Sequence, residues 1–586
     1  MARKSSIRPL FFKYFNRYYR NWGLGVLAIA GTTAFGVVVP LIIKRAIDDL
    51  QSGKPLNAIM YNALLLVGLT ALSGLCRFFM RQTMIVASRK VEYDIRNDFF
   101  THLEALDRSF YHKETTGDIM SRATNDLEAV RAMYGPGLMH FTSTFFMVTM
   151  AMILMYHVDP VMTTYSFIPL PLLSVTVLII GKQVYKRYRK IQEHYGKISA
   201  YVQENLSGIR VVQSFVQEKN QTDGFDKLNK DYIRKNMNMI KVWGMFMPVL
   251  SLIAGGLMVL ILVVGGQRVI NGEISLGTFV AFTAYLLMLI WPMIALGWVI
   301  GLFQRGMASM DRMNRIFNEK PLIKLPSKPI EMSQLQGDIE IKNLSFSFKG
   351  NKSKVLEDIS FTVKAGQTVS VVGATGSGKT SLVSLLPRLY PIPDGIIFLD
   401  GVDINSIDLK ILRSNIGYIP QDNFLFSQTL SDNISFGTDR DVDDDEIIRT
   451  GRNAGLIKDL EILPEKYDTM IGERGITLSG GQKQRISIAR AIIDKPPILI
   501  FDDAFSSVDT NTEEQILNNL SDLMKASTVF LISHRISTVK NADLIIVLEN
   551  GRLVESGNHD SLLSLNGVYA RIHKKQLLVE ELERLD

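Results

Sequence analysis

The sequence predicts a chain in two parts: a membrane α-helical domain of six transmembrane helices with long cytoplasmic extensions, followed by an α/β domain. Six long apolar stretches crowd the first half of the chain, and strands rich in β-branched residues alternate with helices from Gly337 onward. The strands are predicted at IEIKNLSFSF, ISFTV, TVSVVG and IIFLDG, in the α/β pattern of a parallel sheet with helices around it. A Lys- and Pro-rich stretch, EKPLIKLPSKPIEM, separates the two patterns and is typical of a linker.

The apolar stretches are each long enough to cross a bilayer, which takes about 20 helical residues. One such run could be a buried helix of a soluble protein, but six of them favour a membrane domain. The spans are predicted near 22–46, 60–85, 137–158, 161–182, 243–270 and 276–303. Short connections alternate with two long, charged ones at about 86–136 and 183–241.

Positive charge predicts the orientation of the spans. The long connections are rich in Arg and Lys, whereas Lys54 is the only basic residue in the three short connections. Because Lys- and Arg-rich segments stay cytoplasmic, both long connections and both chain ends are expected inside. The basic and aromatic segment before the first span lacks the cleavage site of a secretory signal and suits a helix in the lipid headgroups.

The long connections keep helical apolar spacing, so spans two to five are expected to continue as helices into the cytoplasm. Their turns are predicted within Thr115–Arg131 and Glu204–Phe215. Periodicity alone allows two interpretations: the turns pack as helix hairpins, or they dock on another domain and transmit motion. None of the spans holds a deeply placed Asp or Glu, which ion-driven carriers usually need, so energy for transport is expected from the second half.

Composition excludes several other classes of protein. With 47% hydrophobic residues the chain is not broadly disordered. Its single cysteine, Cys76, cannot form an intrachain disulfide, and no Cys/His cluster suggests zinc. A net charge of +7 over 586 residues gives no argument for a nucleic-acid partner.

A phosphate-binding loop is the strongest motif. The residues GATGSGKT, Gly373 to Thr380, follow the strand QTVSVV and open the helix KTSLVSLL, which is the context this loop requires. Glycines let backbone N–H groups approach phosphates, Lys379 can reach the β- and γ-phosphates, and Thr380 can ligate Mg²⁺. The strand ILIFDD ends in two carboxylates, and Asp502 is placed to hold Mg²⁺. The second half is therefore predicted to be a P-loop nucleotide-binding domain.

The order of further motifs gives a specific resemblance. Phe348 lies near a first strand, and the phosphate loop, Gln421 in YIPQD, LSGGQ at 478–482, ILIFDD, SSVD at 506–509 and His534 in LISHR follow in that order. The chain resembles an ABC (ATP-binding cassette) transporter of the half-exporter kind over nearly its whole length. In such exporters the two cytoplasmic turns correspond to coupling helices, which favours docking and transmission of motion.

The resemblance implies roles for individual residues toward ATP and Mg²⁺. Phe348 would stack on adenine where the family usually has Tyr, although Phe346 competes for this role and an ordinary core position is the alternative. Gln421 would complete the Mg²⁺ shell with Thr380 and Asp502, and His534 would contact the γ-phosphate or the attacking water. The implied nucleotide-contacting set is Phe348, Gly373, Gly376, Ser377, Gly378, Lys379, Thr380, Ser381, Ser479, Gly480, Gly481 and Gln482.

One position departs from the family pattern. Hydrolytic sites of the family carry Glu after the Asp at the strand tip, and this chain has Asp503. The shorter side chain places its carboxylate about 1.5 Å further from the attacking water, which can slow hydrolysis strongly. The chain thus resembles the degenerate subunit of bacterial heterodimeric multidrug exporters. Because His534 is intact, a homodimer with slow sites is one alternative. Another is that Asp503 works adequately in place of Glu.

Together these features predict an ATP-driven exporter of amphipathic or apolar compounds in a bacterial plasma membrane, working with a second half-exporter subunit. The alternatives are a lipid or peptide exporter with the same engine, or an ATP-gated channel or regulator. The predicted organisation is an N-terminal segment at 1–21, a membrane domain at 22–310, a linker at 311–336, the cassette domain at 337–575 and a tail at 576–586.

Overall fold

A computed structural model describes residues 8–167, 170–326, 328–330, 332, 335–349, 353–472, 478–533 and 535–583. The chain divides into two compact units. The first comprises Met1–Glu104 and Thr116–Glu319, and the second comprises Ala105–Thr115 and Lys320–Asp586.

The first unit is helical, and in the described residues six of its helical segments are long and apolar enough to cross a membrane, which confirms the predicted spans. Its helices are Arg8–Arg17, Tyr19–Gln51, Leu56–Ala105, Thr116–Ser121, Leu127–Ala132, Leu138–Val158, Pro160–Phe167, Leu170–Ser207, Ile209–Ser214, Glu218–Gly244, Phe246–Ile270 and Leu276–Phe317, with π-helical stretches at Arg122–Asp126 and Met133–Gly137. The predicted helical extensions of the spans are confirmed by Leu56–Ala105, Leu170–Ser207 and Glu218–Gly244.

The spans pack around an apolar core and keep an apolar exterior. Phe282 and Tyr285 of the last span are fully buried, and the Tyr285 hydroxyl donates to the Val37 carbonyl at 2.8 Å. Large apolar side chains such as Leu64 and Leu252 are more than two-thirds exposed. An apolar exterior of this extent matches a lipid environment rather than water.

The N-terminal helix Arg8–Arg17 has a composition that suits lipid headgroups, and it also contacts other helices of the first unit. The Tyr14 hydroxyl donates to Asp98 at 2.8 Å, and the Phe11 ring stacks on Tyr134 at 4.9 Å. Its basic and aromatic residues therefore also form specific contacts with the second and third spans, which the sequence pattern did not predict.

The first cytoplasmic turn precedes its predicted range. Helix Leu56–Ala105 ends before Asp107, whose side chain caps the short helix Arg108–Tyr111. The segment Ala105–Thr115 belongs to the second unit, whereas Thr116 and the residues after it already form the returning helix. The second turn matches its prediction: one helix ends at Ser207, Ile209–Ser214 forms a short helix, and the next begins at Glu218.

The second unit contains two sheets, not the single parallel sheet that the strand pattern suggested. Its strands are β1 Ile339–Phe346, β2 Leu356–Val363, β3 Thr368–Gly373, β4 Ile397–Leu399, β5 Val402–Asp403, β6 Ile416–Ile419, β7 Ile498–Asp502, β8 Thr528–Ile532, β9 Leu544–Glu549 and β10 Arg552–Gly557. One sheet, of order β2-β1-β4-β5, is antiparallel. The other, of order β10-β9-β3-β8-β7-β6, is parallel except between β9 and β10. The strands predicted from IEIKNLSFSF, ISFTV and IIFLDG were thus wrongly assigned to the parallel sheet.

Helices surround both sheets and bury their apolar faces. They are Arg108–Tyr111, Lys379–Leu385, Leu409–Ser414, Leu430–Ser435, Asp444–Asn453, Ile457–Leu460, Gly480–Ile492, Thr510–Ala526, Ile536–Val539, His559–Ser564 and Val568–Glu583, with a 3₁₀ turn at Lys466–Asp468. β7 and β8 are completely buried, as expected for central parallel strands covered on both faces. Two predicted boundaries fall inside helices: 310 within Leu276–Phe317, and 576 within Val568–Glu583.

Candidate functional site

The loop between β3 and the helix Lys379–Leu385 is shaped to hold an anion. Gly378 has a φ of 101° and begins the helix. A Cβ atom at Gly378 would lie 2.6 Å from the Leu356 Cδ2 atom, so glycine alone fits both the space and the backbone conformation. The N–H groups at the start of the helix face the loop, where they favour negative charge.

The side chains of this loop fit a nucleotide phosphate. Ser377 is 4% exposed, and its Oγ atom has no hydrogen-bond partner in the described structure. Buried hydroxyls normally have a partner, so this atom requires an explanation. Gly376, with a φ of 82°, has no neighbouring atom within 4 Å of a Cβ position, which leaves room beside the loop. A phosphate oxygen in that room could accept the Ser377 hydrogen bond.

The Lys379 side chain folds back onto the phosphate loop that precedes it. Its Nζ atom donates to the carbonyls of Gly373 at 2.9 Å and Ala374 at 3.0 Å. Burial lowers the pKa of Lys379, and the charges of Asp503 and Asp502 oppose this effect. Phosphate beside the ammonium would favour its charged form, because an opposite charge offsets the loss of hydration.

Thr380 and Asp502 come together at the tip of β7. The Thr380 hydroxyl donates to Asp502 Oδ1 at 2.8 Å, and the Tyr418 hydroxyl donates to Asp502 Oδ2 at 3.2 Å. Asp502 is 1% exposed, and burial raises its pKa, although both hydrogen bonds favour the carboxylate. A buried carboxylate beside a hydroxyl can help to hold a divalent cation, whose charge would favour the ionised form.

Tyr418 was missed by sequence reasoning. It lies on β6, which pairs with β7 so that Tyr418 is opposite Ile500. Tyr418 is the tyrosine of YIPQD, but the sequence does not show which strand pairs with β6. The structure therefore adds a second hydroxyl to the Asp502 carboxylate.

The backbone at Asp503 is fixed. Its N–H donates to the Ile532 carbonyl of β8 at 3.1 Å, and its φ of 54° is left-handed. Asp tolerates this conformation better than most residues other than Gly. The side chain is half-buried next to Asp502. Since the backbone is held by β8, the reach of the side chain is decided by its length.

The structure separates the two candidate adenine residues. Phe346 is 8% exposed and belongs to the core around β1, whereas Phe348 is half-buried at its edge. The Phe348 ring packs edge-to-face against Phe346 and Tyr390, with ring centroids at 5.0 and 5.1 Å. Phe348 therefore offers a more accessible ring than Phe346.

Two other predicted residues lie after β6 and after the phosphate loop. Gln421 is exposed in the loop after β6. Ser381 is half-buried in the helix after the phosphate loop, and its carbonyl accepts a hydrogen bond from Ser384 at 2.9 Å. His534 lies outside the described residues.

The LSGGQ segment forms the start of a helix. Ser479 caps the helix Gly480–Ile492 in a capping box, in which the Ser479 N–H donates to Gln482 Oε1 at 2.8 Å. Ser479 and Gly480 are exposed. A Cβ atom at Gly481 would lie 2.9 Å from the Ser507 carbonyl oxygen, so a side chain there would disturb the SSVD segment.

This helix is anchored by contacts that sequence reasoning did not predict. Arg485 forms a two-point ion pair with the buried Asp459 at 2.7 and 2.8 Å, and Gln482 donates to the same carboxylate at 3.2 Å. Gln484 donates to Ser506 at 2.9 Å. Within the described residues, none of the recorded hydrogen bonds joins Ser479–Gln482 to the phosphate loop. The LSGGQ segment and the phosphate loop are therefore not joined by a hydrogen bond in the part of the chain that the structure describes.

The turn segment Ala105–Thr115 contacts Tyr390 and Leu322 within the second unit. His112 Nε2 lies 3.4 Å from the Tyr390 hydroxyl, and Asp107 accepts from the Leu322 N–H at 2.9 Å. Tyr390 also contacts Phe348. Contacts therefore connect His112 in the first turn, through Tyr390, to Phe348, the candidate adenine-stacking residue.

No all-protein metal cage stands among the described residues, since no group of three or more His, Cys, Asp or Glu side chains converges there. Mg²⁺ is commonly held by one or two carboxylates together with nucleotide phosphates, so Thr380 and Asp502 fit its partial protein shell.

Comparison with known proteins agrees with both units. Residues 22–293 match the model of the ABC transporter transmembrane region, and residues 356–506 match the ABC transporter model. The chain is 36% identical over 567 residues to a Bacillus subtilis protein named "Probable multidrug resistance ABC transporter ATP-binding/permease protein YheI", covering 96% of this chain and 97% of that one.

Two further relatives extend the comparison. The chain is 33% identical over 535 residues to an "ATP-dependent lipid A-core flippase" of Syntrophus aciditrophicus, covering 91% of this chain and 88% of the relative. A solved structure of a bacterial Atm1-family ABC exporter with ATP bound superposes with a TM-score of 0.79 at 26% identity, covering 95% of this chain and 99% of that one.

Proposed function

The chain belongs to the ABC transporter family, and we propose that it is one half of a heterodimeric exporter of amphipathic or apolar compounds. Its family is that of exporters of the multidrug or lipid-flippase type, which function as dimers in a membrane and couple ATP hydrolysis to transport. The observation that carries the finer proposal is Asp503 at the tip of β7, where hydrolytic sites carry Glu.

At this chain's nucleotide loop, Lys379 would neutralise the β- and γ-phosphates, and Phe348 would stack on the adenine. Ser377 and the glycines of the loop would direct donors toward the phosphates. Thr380, Asp502 and Gln421 would hold Mg²⁺, which when bound draws negative charge from the phosphates and favours attack by water. His534 would hydrogen-bond the γ-phosphate or orient that water.

The second half-site would act on another chain's nucleotide. Exposed Ser479 and Gly480 lie at the N-terminus of a well-anchored helix, where N–H groups favour an anion. The side-chain and N–H hydrogen bonds of Ser479 go to Gln482, and Gln482 in turn donates to Asp459. This separation supports a sandwich in which each ATP lies between one chain's phosphate loop and the other's LSGGQ.

The short side chain of Asp503 supports the heterodimer proposal. The Asp503 N–H donates to the Ile532 carbonyl of β8 at 3.1 Å, and from this position an Asp side chain reaches one methylene less far than Glu. Its carboxylate is therefore poorly placed as a base, and a partner carrying Glu would supply the faster site. A homodimer with two slow sites is the alternative.

The membrane unit supports an apolar cargo. The spans expose Met, Phe and Trp side chains, and Met adapts to ligands of varied shape. Lipid contact accounts for part of this exposure. Lipid or peptide cargo remains the second candidate, favoured by the likeness to the protein named a lipid A-core flippase. An ATP-gated channel would conduct without concentrating its cargo.

The basic long connections support a cytoplasmic nucleotide unit, and the likeness to bacterial proteins supports a bacterial plasma membrane as the location of the spans. Closing the ATP sandwich would move the turn segments and expose the cargo path outward. Hydrolysis and phosphate release would then reset the transporter.

The test is reconstitution of this chain in proteoliposomes, alone and together with a half-exporter that carries Glu at the position matching Asp503, sought in the neighbouring reading frame. We expect ATP-dependent accumulation of a fluorescent amphipathic dye only with the partner. Robust ATPase activity and accumulation by this chain alone would support the homodimer instead. Dye that equilibrates without concentrating would identify a channel.

A further inference from the structure

A basic cavity of about 400 Å³ lies between the helices Leu170–Ser207 and Glu218–Gly244. Five cationic side chains line it against a single carboxylate, Asp231: Lys186, Arg187, Lys190, Arg234 and Lys235. Arg234 and Lys235 both pair with Asp231 and take up its negative charge. In the described part of the chain, no carboxylate lies within ion-pair distance of Lys186, Arg187 or Lys190. The cavity is therefore strongly positive.

One N–H donor of the Arg187 guanidinium has no hydrogen-bond partner in the described structure. Its Nη1 atom donates to the Asn238 carbonyl at 3.1 Å, which fixes the guanidinium between the two helices. Its Nε atom is shielded from solvent and has no hydrogen-bond partner in the described structure. A buried unmatched donor on a charged group is costly, and a phosphate oxygen accepts such donors well. This atom points to an anion with oxygen acceptors.

The end of the cavity that holds Lys186, Arg187 and Asn238 lies at headgroup depth. The predicted apolar part of the fourth span ends near residue 182 and that of the fifth begins near 243. At about 1.5 Å per helical residue, Lys186 and Asn238 lie only about 6 to 8 Å beyond these limits. Tyr185, Tyr188 and Trp243 are at least half exposed around the same level, as expected of an aromatic belt at the membrane surface.

We propose that this cavity binds the phosphate headgroup of an anionic phospholipid of the cytoplasmic leaflet. The Arg187 guanidinium would bind the phosphate, and Lys186 and Lys190 would add attraction. The aromatic belt lies where the glycerol and upper acyl chains of such a lipid would run. A free phosphate ion has the same headgroup chemistry but lacks the apolar part that the belt would contact.

The test measures retention of phosphatidylglycerol and phosphatidylcholine with identical acyl chains on the purified full-length protein, by native mass spectrometry. We expect the wild type to retain phosphatidylglycerol selectively, and Arg187→Gln to weaken this retention about fivefold. Lys190→Gln should act in the same direction. The matched control is Arg189→Gln, on the same helix, because Arg189 is largely exposed and pairs with Glu193 at 3.4 Å; it should retain the lipid like the wild type. Unchanged melting temperatures would show that the variants fold.

Competition distinguishes the two sources of phosphate. If inorganic phosphate at millimolar concentration fails to displace phosphatidylglycerol, the lipid assignment stands. Complete displacement by inorganic phosphate would overturn it in favour of a soluble anion. Equal retention by Arg187→Gln and the wild type, or no preference for phosphatidylglycerol over phosphatidylcholine, would show that the cavity is not a headgroup site.

Discussion

The Thr380 hydroxyl and the Asp502 carboxylate are joined by a hydrogen bond of 2.8 Å, although they lie on different elements far apart in the sequence. Thr380 belongs to the helix after the phosphate loop, and Asp502 ends β7. Two of the three groups assigned to Mg²⁺ from the sequence are thus adjacent in the fold. Tyr418 and Lys379 complete the surroundings of the carboxylate.

Lys379→Ala should weaken ATP binding at this chain's site. Loss of an ammonium that faces phosphates removes charge-assisted hydrogen bonds, which corresponds to about a tenfold to hundredfold rise in Kd. Equilibrium titration with a fluorescent ATP analogue measures this change. Lys364→Ala is the matched control, since Lys364 is exposed on the same unit and its nearest carboxylate, Asp338, is 3.9 Å away. Equal affinity of Lys379→Ala and the wild type would contradict the placement of the loop.

Tyr418→Phe should make ATPase activity more sensitive to acid. Burial raises the pKa of Asp502, and the Tyr418 hydrogen bond opposes this by favouring the carboxylate. Without the hydroxyl the pKa rises further, so the carboxylate is lost at a higher pH. The acid limb of the pH profile should therefore move to higher pH. The profile is measured on the assembled transporter.

The control for this experiment is Tyr467→Phe, because Tyr467 donates only a long hydrogen bond to the Ile448 carbonyl, at 3.4 Å. Its pH profile should match that of the wild type. An unmoved acid limb in Tyr418→Phe would mean that Asp502 ionisation does not limit turnover.

Asp107→Ala should destabilise the second unit. Its carboxylate accepts from the backbone N–H groups of Ser109 at 3.0 Å and Leu322 at 2.9 Å. Burial would raise the pKa of Asp107, but these hydrogen bonds and that from the Ser109 hydroxyl outweigh it and lower the pKa. The stabilisation is therefore present above the unfolded-state pKa of about 3.9 and is lost as pH falls through the lower folded-state value.

Calorimetry near neutral pH should show a loss of about 1 to 2 kcal/mol for Asp107→Ala, as for other helix caps, together with a lower melting temperature. The difference from the wild type should shrink under strongly acidic conditions. Lys113→Ala, an exposed change in the same segment, should leave the melting temperature unchanged.

His112→Ala should reduce transport per ATP hydrolysed without weakening ATP binding. His112 approaches the Tyr390 hydroxyl at 3.4 Å, and Tyr390 packs against Phe348. Dye uptake and ATPase activity measured on the same proteoliposomes give this ratio. Asp118→Ala, Arg122→Ala and Arg210→Ala test the turn ranges predicted from sequence. If all four variants keep the wild-type ratio, the turns serve only in packing.

Features formed by residues close in the sequence were predicted, whereas features formed by residues far apart in the sequence were not. The phosphate loop and the β7 tip were predictable because strand, glycines, lysine and helix follow one another within a short segment. The strand β1 was misassigned because its partners, β2 and β4, are chosen by tertiary pairing and not by strand composition. Tyr418 and Asp459 act through partners distant in sequence, so no local spacing could identify them. The first turn was displaced because Thr116 and later residues continue helical periodicity without a visible break.

The last prediction contrasts Asp503 with the LSGGQ residues in the assembled transporter. The heterodimer proposal makes Asp503 a poorly placed base, so on that proposal Asp503→Asn should lower turnover only slightly, by less than about threefold. Ser479→Ala or Gly481→Asp should lower it more than tenfold, because this helix start would complete the partner's faster site. Gly481→Asp also disturbs the SSVD segment, since even a Cβ would lie 2.9 Å from the Ser507 oxygen, so Ser479→Ala is the cleaner variant. ATPase assays with the partner present measure both effects. If Asp503→Asn abolishes turnover that this chain performs by itself, the two sites are equivalent and the heterodimer proposal fails.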